Sequence, residues 1–242
     1  MHYAQFQPHP QLAPFIEAYW QVTSLSETPA ARIMPDGCVD ILINLGEDLH
    51  TESDLVIKSG TAGLVGTMTR FKKIKHPCNT SIIGIRFKAG AFAYFYNYDS
   101  LHELTNTTIE FQKQLVPDIS CIRKDLVNYL NRFYLLRMSA PRQTIMPIVT
   151  SIKNRKGLVT VDSLARSHYI SKRQLERNFK QQVGLTPKAF INFVRYEFAL
   201  QSIKKYHFQK SLLEIAYECG YYDHAHLCND IKKYAGLVPS QL

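Results

Sequence analysis

In the stretch SKRQLERNFKQQVGLTP, residues 171–187, the side chains able to do chemistry are Lys172, Arg173, Glu176, Arg177 and Lys180. On a helix turning about 100° per residue, Arg173, Glu176, Arg177 and Lys180 point one way and Leu175, Phe179 and Val183 the other. The outward set offers positive charge and N–H donors. Lysine suits phosphate oxygens, and the arginine fork suits paired acceptors on a planar partner. One such segment is also what an ordinary solvated surface helix looks like. The rest of the chain decides between the two.

These residues work together only if a helix holds them. Ser171 is placed to cap its start, with Gln174 three residues on to close a capping box. Gly184 stops it, and Pro187 begins the next helix at its first position. The same pattern returns at an offset of 52. Asp223, Leu227, Ile231, Ala235, Gly236, Leu237 and Pro239 fall on Ser171, Leu175, Phe179, Val183, Gly184, Leu185 and Pro187. Upstream, VDSLARSHYIS matches LLEIAYECGYYD, with Ala165 and Ala216 in the same role and one extra residue in the second turn. A short helix holding a small alanine, a tight turn and a capped second helix make a helix-turn-helix. Its second helix can enter a major groove. In the second unit the outward positions become Ala225, Cys228, Asn229 and Lys232, with His224 and His226 beside them.

Charge agrees with a polyanionic partner. The 242 residues carry a net charge of +9, but residues 1–140 hold 13 Lys/Arg against 13 Asp/Glu, and residues 141–242 hold 16 against 7. A neutral half joined to a basic half implies two domains, of which the second meets nucleic acid. The N-terminus lacks a basic and apolar leader pattern, and no run of 18 apolar residues occurs. The five cysteines are scattered without a CxxC, which suits reduced thiols in a cytoplasm.

The first 115 residues read as β-rich. Beyond a short helical stretch expected at Pro14–Trp20, ARIMPDGCVDILINLG carries an Asp36-Gly37 turn and an alternating apolar run, and glycines punctuate short apolar segments. That spacing implies a sandwich or barrel. AFAYFYNY, 91–98, reads as a core or dimer contact. From Ser120 the pattern turns helical, with Ile122, Leu126, Tyr129, Leu130 and Phe133 on one stripe, and Ser139-Ala140-Pro141 forms a joint.

The segments LARSHYISKRQLERNFKQQVGLTPKAFINFVRYEFALQSIK and SLLEIAYECGYYDHAHLCNDIKKYAGLVPS resemble the AraC/XylS family of bacterial transcription regulators, over roughly residues 145–240. The resemblance implies two helix-turn-helix units joined by a long helix, here Pro187–Lys205, reading neighbouring major grooves. It assigns DNA contact to Lys172, Arg173, Glu176, Arg177 and Lys180 in the first unit and His224, Ala225, His226, Asn229 and Lys232 in the second. The family's arginine at the position of Arg177 is Asn229 in the second unit, and its aromatic at the position of Phe179 is Ile231. The second helix is therefore expected to contribute less. At the N-terminus, Tyr19-Trp20, MPDG at 34–37 and GIRFKAGAF at 84–92 are similar to a subset of the family's cupin-like domains.

The expected fold class is α+β. A β-rich domain over 1–117, with a cupin-like barrel as its candidate architecture, leads through a helical linker at 118–140 to an all-α, double helix-turn-helix domain at 141–242. The expected function is sequence-specific DNA binding in transcription control, as activator or repressor, set by a small-molecule effector or by homodimerisation through the N-terminal domain. The implied partners are double-stranded DNA and RNA polymerase, with no membrane, in the cytoplasm. No catalytic residue, cofactor or metal is expected. The rival is a DNA-repair alkyl-transfer protein with an AraC-like module, but HPCNTS around Cys78 lacks a following His or Arg to activate the thiol. Cys219, His224, His226 and Cys228 also cluster as if for zinc, yet on a helix His226 points away from the face that His224 and Cys228 share. An enzymatic metal cupin would need clustered histidines, and His2, His9, His50, His76 and His102 are dispersed.

Overall fold

A computed structural model describes residues 1–51, 55–206 and 208–241. The N-terminal half is built on one six-stranded antiparallel sheet in the order β1-β2-β9-β4-β7-β10. Its strands are β1 (His2–Phe6), β2 (Ile16–Ser24), β4 (Val39–Asn44), β7 (Ala62–Val65), β9 (Thr80–Phe87) and β10 (Thr108–Phe111). Two ribbons accompany it, β3 (Ala31–Ile33) with β8 (Lys72–Ile74), and β5 (Leu49–His50) with β6 (Val56–Ile57). Alternation assigns the faces. Val39, Ile41 and Ile43 of β4 and Ile83, Ile85 and Phe87 of β9 point into one core with Phe92, Phe95, Tyr96 and Tyr134.

Helices cover that core face. They are α1 (Ile119–Lys124) and α2 (Leu126–Arg137), separated at Asp125, whose extended φ of −156° ends one helix while its side chain caps the next. The expected stripe is therefore broken after Ile122. Leu130 and Tyr134 are fully buried, whereas Leu126, Tyr129 and Phe133 are half-buried. The aromatic run 91–98 feeds the same core.

One expectation needs correction. Pro14–Trp20 is not helical. A hydrogen-bonded turn spans Leu12–Ile16, with Ile16 N donating to Leu12 O at 2.8 Å, but from Ile16 onward the chain is the long strand β2. Pairing to β1 on one side and β9 on the other satisfies the β2 backbone in a way no isolated helical turn could. The Asp36-Gly37 turn exists, with Cys38 N donating to Asp36 Oδ1 at 2.9 Å. The strands that flank it pair elsewhere, β3 with β8, and β4 with β7 and β9.

The C-terminal half is helical: α3 (Met146–Asn154), α4 (Val161–Ser167), α5 (Lys172–Val183), α6 (Pro187–Tyr206), α7 (Leu212–Glu218) and α8 (His224–Ala235). One apolar core joins both helix-turn-helix units to α6, through Leu175, Phe179, Phe190, Phe193, Leu227 and Ile231. Ala89 and Met34 of the β-rich half enter that core too. The two halves are thus packed together.

Candidate nucleic-acid interface

The two units are built alike. Thr160 caps α4 through a capping box with Ser163, and Ser211 caps α7 through one with Glu214. Ala165 and Ala216 are buried where the paired helices approach. The intervening turns are His168–Ser171 and the one-residue-longer Cys219–Asp223, each with one positive φ, at Tyr169 and Gly220. Ser171 Oγ accepts from Gln174 N at 3.1 Å, and Asp223 Oδ1 accepts from His226 N at 2.7 Å. The Gln174 side chain does not return the bond, so the expected box at Ser171 is half made. Both recognition helices end on a left-handed glycine, Gly184 and Gly236. The inward faces are as expected, with Leu175, Phe179, Leu227 and Ile231 all at 0% exposure.

On the outside, Lys172, Arg173, Glu176 and Arg177 are exposed and Lys180 is half-buried. His224, Ala225, His226, Asn229 and Lys232 are exposed on α8. Lys172 is ion-paired to Asp162 of α4, which ties the start of the recognition helix to its scaffold. The His226 ring meets Tyr221 edge-on, with centroids 5.1 Å apart. A groove of about 1050 Å³ runs along the outer face of α5, with Asp99 and Ser100 of the β-rich half in its wall. Exposed cations, amides and imidazoles on two matched helices can meet phosphate oxygens and base edges. Of the cysteines weighed as metal ligands or nucleophiles, Cys219 is fully buried, Cys228 half-buried and Cys78 exposed.

Several supporting residues carry no signal in the outward pattern. Asn178 and Gln182, polar residues of α5, are buried. Gln182 Oε1 accepts from Ile145 N at 3.2 Å, and its Nε2 donates to Gln143 O at 2.9 Å, tying the segment just before α3 to α5. Arg195 of α6 donates to Gly220 O at 3.2 Å and to Asn192 Oδ1 at 2.8 Å, and its guanidinium sits 5.1 Å from the Tyr221 ring. It fixes the second turn to the joining helix. A lone cation inside the apolar run INFVRYEFAL is the one sequence feature that could have flagged it.

The β-rich half holds a second polar group, on the sheet face opposite its core. Trp20 Nε1 donates to Asp40 Oδ1 at 2.8 Å, and Arg86 Nε lies 3.2 Å from Asp40 and 3.1 Å from Asp36. Burial pushes Asp40 up to about 6, against the pull of Arg86. Where the two halves meet, burial pushes Glu197 of α6 up to about 7, opposed by Lys153 and reinforced by Asp36 and Glu17.

Residues 4–110 match a family described as a domain of unknown function (DUF6597), and residues 164–242 match a helix-turn-helix domain family. An HTH-type transcriptional regulator of Haemophilus influenzae is 37% identical over 81 residues, 34% of this chain and 26% of that protein. The HTH-type transcriptional regulator MtrA of Neisseria gonorrhoeae is 33% identical over 81 residues, with the same coverage. The HTH-type transcriptional activator RhaS of Escherichia coli is 38% identical over 68 residues, 28% of this chain and 24% of that protein. The chain thus spans about a quarter of the length of these curated relatives. Among solved structures, ToxT from Vibrio cholerae aligns over 92% of this chain and 95% of its own, at 9% identity and a TM-score of 0.47. The C-terminal domain of AraT, a response regulator from Geobacillus stearothermophilus, aligns over 39% of this chain and 82% of its own, at 25% identity and a TM-score of 0.34.

Proposed function

We propose that this chain, whose C-terminal segment is a helix-turn-helix domain of the AraC type, is a sequence-specific DNA-binding transcription regulator. The observation that carries the reading is the pair of matched units. Each presents an exposed polar face at equivalent positions on a capped helix, and the two are linked by α6, whose 20 residues span about 30 Å at ~1.5 Å each. That length is close to the ~34 Å between successive major-groove faces. Arg173 and Arg177 read base edges in the first unit, with Glu176 beside them, while Lys172 and Lys180 meet phosphates. His224, Ala225, His226, Asn229 and Lys232 form the second surface.

Residues 141–242 are the DNA-binding domain, 118–140 the connecting helices, and 1–117 a sensing or dimerising domain. The polar group at Trp20, Asp40 and Arg86, an ion pair and an indole donor held on a sheet face away from the core, supports control by a small-molecule effector. Homodimerisation through the same domain is the other route. RNA polymerase is the downstream partner, the site of action is the cytoplasm, and the chain is a regulator with no catalytic role of its own. Among the described residues no helix is long and apolar enough to cross a membrane. Footprinting of the full chain on DNA flanking its own gene tests the reading. Two protected half-sites about one helical turn apart are expected, and uniform or absent protection there contradicts it.

A further inference from the structure

Both recognition helices end on glycines 52 residues apart, Gly184 at φ +85° and Gly236 at φ +64°. A helix end leaves its last carbonyls without intrahelical donors. At α5 the β-rich half supplies them. Thr67 Oγ1 donates to Val183 O at 2.7 Å, Thr105 Oγ1 donates to Gly184 O at 2.7 Å, and His102 Nδ1 lies 2.8 Å from that same oxygen. Thr67 is fully buried. At α8 the contact is apolar: the Phe71 ring occupies the space over Gly236, where a β-carbon would stand 2.1 Å from Phe71 Cε1. A side chain at 236 would push the ring aside, and the positive φ there favours glycine as well.

Thr67 and Phe71 belong to one short connection, residues 66–71, between β7 and β8. That connection is braced. Thr69 N donates to Asn106 Oδ1 at 2.8 Å, Asn106 Nδ2 donates to Thr69 Oγ1 at 2.8 Å, and Asn106 N donates to Thr67 O at 3.1 Å. Beyond it, the guanidinium of Arg32 on β3 sits 5.1 Å from the Phe71 ring, and β3 is the pairing partner of β8. A single rigid bracket of the sheet domain therefore touches the C-terminal ends of both recognition helices. The N-terminal turns, with Arg173 on α5 and His224 and Ala225 on α8, stay exposed.

We propose that the 66–71 connection is a clamp that sets the relative placement of the two recognition helices, and with it the half-site spacing the protein accepts. The proposal rests on the DNA-binding reading above. The joining helix α6 packs on each recognition helix from one side, through Phe190 on Phe179 and through Tyr196 on Tyr234. Within its own unit each recognition helix also packs on α4 or α7, and Gln182 ties α5 to the segment before α3. The anchor at each C-terminus adds what those contacts lack, a hold from one piece of the sheet domain shared by both units. Thr67, Thr105 and Phe71 are positioning residues that never touch DNA, and a shift of β7 or β8 reaches both units at once.

The test compares full-length wild type, Thr67→Val/Thr105→Val and Phe71→Ala in selection from a random duplex pool. Wild type should return two half-sites at one spacing. Both variants should return the same half-site sequences spread over neighbouring spacings, because base-reading residues are untouched. A single unchanged spacing in both variants overturns the clamp. Recovery of no motif by wild type faults the DNA-binding reading instead, and amide exchange without DNA then decides the clamp. Exchange in the last turn of α5 should rise about three- to tenfold in the threonine variant, as lost hydrogen bonds lower local stability. The last turn of α8 should respond to Phe71→Ala, with α2 unchanged in both as the control for folding. Thr67→Ser, which keeps the donor, should behave as wild type. Unchanged exchange at both helix ends overturns the proposal without any DNA.

Discussion

Arg173 and Arg177 are exposed, and among the described residues neither has a carboxylate partner, so their guanidinium forks are free for a planar acceptor pair. Arg173→Ala should relax base preference at one or two positions of a selected site, at a cost of about 1–3 kcal/mol if the contact is bidentate to guanine. Lys180→Ala should weaken all duplexes alike, and parallel affinity profiles from both mutants would contradict that division of roles. The repeat is chemically uneven, since the position of Arg177 is Asn229 in the second unit. Arg177→Ala is therefore expected to reduce operator binding far more than Asn229→Ala, read as protection of the two half-sites in a footprint. The exposed set was legible because 100° per residue separates it cleanly from Leu175, Phe179 and Val183. Asn178 and Gln182 were not, because their partners Gln143 and Ile145 lie some 35 residues upstream, just before α3. No local periodicity encodes such a contact.

Both recognition helices rest on one buried leucine each, Leu175 and Leu227, at 0% exposure. Leu175→Ala and Leu227→Ala should each destabilise the protein by about 2–5 kcal/mol in chemical denaturation. DNA binding should be lost only in proportion to unfolding, and a fully folded Leu175→Ala protein without affinity would mean that α5 presents its other face. The helical half was readable element by element because caps, stops and apolar spacing repeat at a fixed offset, which gives every position an internal control. Ser171, Gly184 and Pro187 all stand where the pattern placed them. The sheet half was readable only in kind. Pro14–Trp20 shows helix-like spacing of Phe15, Ala18 and Tyr19, yet pairing with two distant strands overrides it. Strand order, with β9 between β2 and β4, is set by contacts no short window contains.

The halves of the molecule are joined across an interface that contains charge as well as apolar surface. Burial pushes Glu197 up to about 7, above its ordinary value of 4.5. Its carboxyl binds a proton more readily in the folded state, so stability is greatest while that proton is kept and falls as pH rises from about 5 through 7. Glu197→Gln should flatten this loss, giving a higher Tm than wild type at pH 8 and a similar one at pH 5. Equal pH profiles would place the carboxyl in water. The surplus of positive charge lies wholly in residues 141–242, and DNA binding should follow it. The most direct measurement is the affinity of the full chain for a labelled duplex across a salt series, beside Arg173→Ala/Arg177→Ala/Lys180→Ala. Wild-type log K should fall linearly with log salt, by about 0.9 per phosphate neutralised, and the triple variant should bind more weakly with a shallower slope. Binding that ignores salt, or a triple variant indistinguishable from wild type, would contradict a DNA surface on these helices.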